Sequence, residues 1–423
     1  MPARMMRYLL AVALSATLGL GVAQERPFDG EVITFASMND PFAFVIEDML
    51  PLFTEETGIE VRMDIIPYVG LRERTLADLV SGSGTFDVIT MDIVWMGEWA
   101  EAGFIRQLDD LIERDGMDLD AFLPGALDGL AYWNDDVFGM PIGAYHFLMH
   151  YRADLLEEAG IDVPTTYAEL LAAAEAVSRP AEGFYGIAAP MVRGAPVVHY
   201  SLAYLSGTGG GVFDAEGNVA IDTDLAEEVF SNYKRFLDVG PPGMLSYDWF
   251  AVSEDFQQDR VAFLGAWTVV SPGFEDPEES LVDGKVGYTT LPLIDGGVSG
   301  QVPFGGWSLV VNEAGRNQEV AWEFIKWLVR PDTQRTYAQM LGTPVLFETL
   351  EDPELQAQFP WYETVLAVER EGMVDAQFRP RTPEWPQMEE VLGLLLNQIM
   401  TGERAVGDAL GQAGQQLRTI VGE

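Results

Sequence analysis

Residues 31–91 read EVITFASMNDPFAFVIEDMLPLFTEETGIEVRMDIIPYVGLRERTLADLVSGSGTFDVITM. The spacing of apolar residues in this stretch decides the fold class. Residues 31–37 (EVITFAS) form a short apolar run that reads as a buried strand. Asn39-Asp40-Pro41 then supplies an N-cap followed by proline at the first helical position, which predicts a helix over 41–56 with Pro51 as an internal blemish and Gly58 as its stop. Residues 59–66 (IEVRMDII) alternate as a second strand. A helix is expected over 71–80, and the Ser81-Gly82-Ser83-Gly84 turn leads into a third strand at 87–91. Strand, helix, strand, helix, strand is the start of an open parallel sheet with right-handed crossovers.

Working outward, an aromatic-rich helix is expected over 94–102. A long extended stretch follows at 139–151 (GMPIGAYHFLMHY), the first candidate for a crossing between two lobes. Helices are expected at 153–159 and 166–177, a strand at 260–266 (RVAFLGA), and a return across the hinge at 284–291 (GKVGYTTL). Residues 302–312 (VPFGGWSLVVN) then read as a strand of the first lobe. An amphipathic helix over 318–329 puts Val320, Ala321, Phe324, Ile325 and Leu328 on one face, and the tail is helical at 387–400 and 405–421. A chain of 423 residues is too long for one ordinary core and suits two. The expectation is an α/β protein of two lobes, each an open, mostly parallel sheet flanked by helices, joined by a hinge. Lobe 1 is expected to comprise 24–141 and 290–340, and lobe 2 to comprise 142–289 and 341–423.

Residues 1–23 form a separate object. Arg4 and Arg7 precede an uncharged apolar run over 8–22, and Gly21 and Ala23 supply the small residues of a cleavage site, so a secretory signal cut before Gln24 is expected. The apolar run falls short of the ~20 residues that span a bilayer. No cysteine is present, which excludes disulfides, thiol catalysis, cysteine-based zinc sites and a lipid-bearing cysteine after the signal. The protein is therefore expected to be secreted across the cytoplasmic membrane, periplasmic or cell-surface associated, without a cysteine anchor. A formal net charge of −43 repels nucleic acid and anionic lipid, so neither is an expected partner. Such a surface says little about a ligand in a cleft, because in salt its field is screened over about 10 Å or less.

Asp214, Glu216, Asn218 and Asp222 gather oxygen ligands, but no glycine stands at the sixth position that a calcium loop of the EF-hand kind requires. A plain turn is the reading for this glycine-rich loop. No metal and no cofactor are expected.

Several stretches resemble the extracellular solute-binding proteins of sugar-type ABC importers, the maltose-binding-protein-like group. FTEETG at 53–58 with the strand after it resembles that family's first helix and second strand, and 87–108 (DVITMDIVWMGEWAEAGFIRQL) its third strand and cleft loop. The most specific likeness is 148–159 (LMHYRADLLEEA) followed by Pro164-Thr165-Thr166-Tyr167-Ala168-Glu169-Leu170. Gly305-Gly306-Trp307 and 379–393 (RPRTPEWPQMEEVLG) are similar to the later cleft strand and the start of the tail helices. The resemblance implies two lobes and a hinge, capture of a ligand by closure, and presentation of the closed form to ABC transporter permease subunits by a monomeric, non-enzymatic receptor.

A neutral sugar or polyol offers apolar C–H faces and a belt of hydroxyls. Its receptor needs flat aromatics for the faces and planar polar groups for the belt, where a charge-assisted bond is worth roughly 1.5–3 kcal/mol against about 1 for a neutral one. Trp307, after Gly306, is the expected stacking platform. Trp267, ending a strand, and Trp95, one turn past the third strand, are further candidates. Asn39, Asp40 and Asp92 follow strands and so face a cleft at the carboxyl ends of the sheet; capping of the following helix is the other reading for Asp40. Tyr145 and His146 lie on the first crossing, and Arg381 matches a family position reaching the cleft from the tail.

The rival class is a secreted carbohydrate-active hydrolase. It needs two carboxylates about 5 Å or 6.5–9.5 Å apart, and any chain with 67 acids supplies pairs by chance. No G-x-S-x-G elbow and no H-E-x-x-H spacing occurs. A metal receptor lacks clustered His or Cys. A surface-layer protein would account for acidity and secretion but not for tryptophans at strand ends.

Overall fold

The computed structural model describes residues 26–294 and 300–423; the expected leader lies outside them. Strand β1 (Val32–Met38) pairs in parallel with β2 (Glu60–Ile66) and β3 (Val88–Asp92), and helices Pro41–Thr57 and Tyr68–Ser81 make the crossovers. The first helix ends at Gly58, whose φ of 78° places it in the left-handed region and lets its N–H reach the Thr54 carbonyl at 2.9 Å. Its buried face carries Phe42, Ile46, Met49 and Phe53 at helical spacing. Phe53 then meets Phe324 and Trp327 at 5.1 and 5.3 Å between ring centroids, which seats the amphipathic helix Gln318–Leu328 as its apolar stripe predicts.

Past β3, the aromatic-rich segment is a 3-10 turn, Ile93–Trp95, running into helix Met96–Glu101. A small hairpin, β4 (Tyr132–Trp133) and β5 (Asp136–Val137), precedes the long strand β6 (Met140–Arg152). This strand changes partner midway. Met140 to His146 pair with β10 (Val302–Val311), whereas Phe147 to Tyr151 pair with β8 (Val261–Trp267), and Met149 to Arg152 also with β9 (Val286–Thr289). β7 (Tyr185–Ala188) lies parallel to β8, and β11 (Val374–Asp375) parallel to the start of β10. The strand order is β2-β1-β3-β10-β6-β8-β7, so two half-sheets share a spine and the molecule is a two-lobed α/β protein.

The parallel pattern of the opening stretch stops at β10, which runs antiparallel to β3 and β6 because it returns from the other lobe. The return falls later than residues 284–291. That segment forms β9 on the outer half of β6, and the inner half is reached only by β10. The segment 214–218 forms a turn in which the Asp214 carboxylate accepts N–H bonds from Glu216 and Asn218. No helix among the described residues is long and apolar enough to cross a membrane.

The second lobe packs Tyr167, Tyr204, Tyr233 and Phe236 into one aromatic cluster. A smaller core of Val252, Phe256, Val261, Leu264 and Phe274 lies beside it. The tail helices Trp385–Met400 and Val406–Val421 pack on each other and on Ala195–Ser206 and Asp224–Val239, and Arg418 holds Asp222 by two bonds of 2.9 Å.

At the waist the backbones come close. Gly306 has φ of 150°, and a Cβ there would lie 2.0 Å from the Gly143 carbonyl oxygen on the facing strand. Gly306→Ala is expected to cost about 1–3 kcal/mol through backbone strain and the forced separation of β6 from β10; urea denaturation of the two chains measures it.

Candidate functional site: an aromatic groove at the waist

The exchange of partners along β6 puts the ends of β3, β8 and β10 side by side. Trp307 pairs across the strands with Asp92, and Trp267 of β8 sits over Gly305, where a Cβ would meet its ring at 3.4 Å. Gly305 and Trp307, two apart in a strand, share a face. The indole of Trp267 and the guanidinium of Arg379 lie over Gly305, at the distance of ordinary van der Waals contact from where its Cβ would stand. Trp267 keeps part of its surface exposed and rests edge-on against Phe147 and tilted against Phe378, at 4.9 and 5.5 Å.

Trp307 is enclosed by Phe42, Tyr68 and Trp95, with ring centroids 6.0–6.2 Å away, and its indole N–H donates to Asp40 Oδ2 at 3.2 Å. Trp95 is buried behind it, packed on Trp99 at 5.3 Å and on Tyr68 at 5.5 Å. The structure therefore makes Trp95 a backing ring and leaves Trp307 and Trp267 nearer the groove.

Two acids in the groove have opposite surroundings. Asp92 is 3% exposed; burial alone would raise its pKa, but the charge and hydrogen bonds of Arg379, with the Tyr68 hydroxyl, hold it below the ordinary aspartate value. Arg379 donates from both terminal nitrogens to the two Asp92 oxygens at 3.0 Å each, and Tyr68 Oη donates to Oδ2 at 2.7 Å. Such a two-pronged pair is the strongest form of carboxylate–guanidinium contact. Asp40, by contrast, stands at the N-cap of Pro41–Thr57 without making the cap bond. Its carboxyl turns toward Trp307 and Tyr145 and is pushed up to about 7 by burial, against the opposing pull of those two side chains. The Tyr145 hydroxyl, in a residue 5% exposed, faces that carboxyl but makes no well-formed hydrogen bond.

The groove is completed from the other lobe. His199, one turn into Ala195–Ser206, lies 6.4 Å from Tyr68, stacks on Trp249 at 6.2 Å, and shares a 2.6 Å bond with Glu389. Arg379 Nη1 lies 3.4 Å from the same His199 nitrogen, which as the donor to Glu389 cannot also accept from the guanidinium, so the two side chains are neighbours and not a bonded pair. Trp249 is placed by the cap before it: the Asp248 carboxylate accepts from Phe250 and Ala251, and the first residue of the helix is left facing Tyr68 at 6.5 Å.

Of the residues expected from sequence, Asp40, Asp92, Tyr145, Trp267, Gly306 and Trp307 are brought together at the waist, and Asn39 is exposed beside them. His146 is not in the groove. It is fully buried, with Nε2 2.7 Å from Glu369 Oε1, and that acid also accepts from the Gly125 N–H, so the pair pins β6 to the helix Trp361–Arg370. Gly306 serves the close approach of two strands. Arg381 points away, donating to the carbonyls of Asp128, at 2.7 Å, and Tyr132. Its neighbour Arg379 holds the groove position. Tyr68, His199, Trp249, Arg379 and Glu389 were missed. A cap followed by an aromatic at Asp248-Trp249 and a proline followed by one at Pro67-Tyr68 are the local signals that could have found two of them.

A two-lobed α/β body with a cluster of aromatic and charged side chains at the strand ends of its waist is the architecture of a ligand-capturing protein of the periplasmic-binding kind. The model of the bacterial extracellular solute-binding protein family matches residues 35–335, and the chain belongs to that family. An ABC transporter solute-binding protein from Agrobacterium radiobacter K84, solved in complex with ribitol, is 32% identical with a TM-score of 0.87, over 93% of this chain and 99% of that one. The maltose-bound MalE3 of T. maritima is 26% identical with a TM-score of 0.83, over 92% and 99%. Among curated proteins, one named a probable amino-acid ABC transporter periplasmic-binding protein, from Sinorhizobium fredii, is 26% identical over 86% of this chain and 84% of its own length.

Because Arg379 compensates a buried charge, Arg379→Met is expected to destabilise the protein by about 3–5 kcal/mol at neutral pH, and a second change, Asp92→Asn, to recover much of it. The sign with pH follows from the depressed Asp92 value. The pair contributes above the unfolded aspartate pKa of about 4 and is lost as pH falls through the folded one. Urea denaturation of the wild type, the single and the double variant at neutral and acid pH checks both statements.

Proposed function

We propose that this chain is an extracytoplasmic receptor that captures a neutral sugar or polyol by closure of its lobes and delivers it to the permease of an ABC transporter. The observation that carries this reading is the floor of the groove: Trp267, Gly305 and Trp307 lie on one face, with the unpartnered Tyr145 hydroxyl and the Asp40 carboxyl beside them. Indole faces suit the C–H faces of a polyhydroxylated guest, and acceptor and hydroxyl groups at the rim suit its hydroxyls. The ribitol held by the Agrobacterium relative and the maltose held by MalE3 support the same class of ligand.

Asn39, Asp40, Tyr145, Trp267, Trp307 and the missed Tyr68, Trp249 and Arg379 are the residues assigned to the site, in contact with ligand or framing it. Lobe 1 is assigned residues 24–141 and 290–340 and lobe 2 residues 142–289 and 341–423; the change of partner along β6 supports a first boundary near the end of its inner half. The receptor works as a monomer outside the cytoplasmic membrane and makes or breaks no bond. A glycosidase would need two free carboxylates facing one bond. Asp92 and Glu389 are engaged by Arg379 and His199, which leaves Asp40 alone among the acids gathered here.

Calorimetric titration against a panel of sugars, polyols and amino acids, run beside a reducing-sugar release assay, tests this reading. Saturable binding of a hydroxylated ligand without turnover is the expected result. Binding confined to amino acids, or turnover of a glycoside, would replace it. Trp307→Ala is expected to weaken binding by about 1–3 kcal/mol, the worth of burying one large apolar side chain, with little change in the circular-dichroism spectrum.

A further inference from the structure

We propose that Asp40 is the charge selector of the groove: it strengthens the binding of sugars or polyols that carry a protonated amine and bars those that carry a carboxylate. This rests on the receptor reading and extends it from neutral guests to a stated order among neutral, cationic and anionic ones.

The first observation is a missing cap. Asp is among the best N-cap residues, and giving up the bond forgoes a recognised source of helix stability. Asp40 stands at the N-cap position of a 17-residue helix with extended backbone angles suited to capping, yet its side chain makes no cap bond. It turns instead to the groove, where Trp307 is its hydrogen-bond donor.

The second observation is the absence of a counter-charge. Among the described residues no arginine, lysine or histidine lies within ion-pair distance of Asp40, whereas Asp92, also at the waist, is met by Arg379 from two sides. The titratable groups that act on Asp40 among the described residues are tyrosines from three elements: Tyr145 of β6, which turns toward it, and Tyr337 of Pro331–Gln339 and Tyr200 of Ala195–Ser206, which act through charge alone. Burial raises all three hydroxyls, so they stay neutral and cannot replace a cation.

The third observation is Tyr145 itself. Its hydroxyl is buried, turns toward Asp40 without reaching full hydrogen-bond geometry, and brings no charge to the carboxylate. Aromatic rings supply the rest of the wall: Trp307 bonds the acid directly, and Phe42, Tyr68 and Trp95 surround the indole. A carboxylate among aromatic faces, without its own cation, is the arrangement that favours an ammonium group, which gains both the charge pair and the ring faces. A guest carboxylate meets repulsion in a desolvated place, because the one groove arginine is already bound to Asp92.

Calorimetry on the wild-type chain at about pH 7.5, where the ordinary ammonium of an amino polyol is charged, decides the matter with two matched triads. One is D-glucose, D-glucosamine and D-gluconate; the other is ribitol, 1-amino-1-deoxy-D-ribitol and D-ribonate. In the triad whose neutral member binds, the amine is expected to bind at least about tenfold tighter than that member and the aldonate at least about tenfold weaker. In Asp40→Asn the advantage of the amine disappears, and in the wild type it shrinks at a pH well below 7, where the Asp40 carboxyl is protonated. Equal or weaker binding of the amine, with the neutral member bound, overturns the selector and leaves the receptor standing. Failure of all six compounds to bind counts against the sugar-receptor reading and takes the selector with it. If Asp40→Asn proves unfolded by circular dichroism, the wild-type triads alone settle the order of the three guests.

Discussion

The structure depends on one backbone constraint: a single strand, β6, hydrogen-bonds to β10 along its first half and to β8 and β9 along its second. Each half of the chain can satisfy its buried N–H and C=O groups only by using part of that strand. The two lobes therefore meet at a fixed place and in a fixed register. The exchange between His146 and Phe147 brings the ends of β3, β8 and β10 together, and side chains at strand ends inherit that proximity. Close backbone approach follows at Gly306, where a Cβ would lie 2.0 Å from the Gly143 carbonyl oxygen of the facing strand. The same constraint explains His146. A residue at the exchange point is enclosed by both sheets, and a buried imidazole needs a partner, which Glu369 supplies.

On that frame the groove sorts its charges. Asp92 and Arg379 neutralise each other with full bidentate geometry, and the Tyr68 hydroxyl adds a further bond to Asp92. The pair is costly to desolvate, but its charges are met, so it acts as a polar wall. Asp40 is the opposite case: its well-formed bond comes from the Trp307 indole, and among the described residues it has no cation within ion-pair distance. A protein carrying 67 acids against 24 lysines and arginines has few cations to place in its interior, and the one at the groove is committed to Asp92.

The sequence made the first sheet legible because its signals are local. Alternation over 59–66, the glycine stop at Gly58 and the proline start at Pro41 each act within one turn of where they stand, and the elements end within one or two residues of the expected positions. The long strand was legible for the same reason. What local pattern could not give is pairing over distance. Arg379 and Arg381 flank one proline and look alike in sequence, but one meets an aspartate 287 residues away and the other a carbonyl 253 residues away. Which of them enters the groove is decided by where the tail crosses the waist. Tyr68 and Trp249 begin helices, and only the assembled sheet turns those helix starts toward each other. Trp95 was expected at the cleft because it follows a strand and Trp307 because it follows two glycines; the indole ring packed in front is the difference between them, and ring order is a tertiary fact.

These points fit together in the energetics of closure. With the proposed lobe assignment, Tyr68 and Asp92 come from one lobe and His199, Trp249, Arg379 and Glu389 from the other, so the set is complete only when the lobes are together. A ligand shifts such an equilibrium by no more than its differential affinity for the closed form. Because Asp92 and Arg379 satisfy each other, the guest need not offset their burial. Asp40 adds a term of the other sign. Buried at the waist with its carboxyl pushed up to about 7, it is a desolvated acid with the Trp307 donor but no counter-charge. Closing over nothing leaves that acid without a cation, whereas closing over an ammonium supplies one. The least satisfied group in the groove thus widens the free-energy gap between empty and occupied closure, which is the quantity a receptor needs if its closed shape is to report that it is loaded.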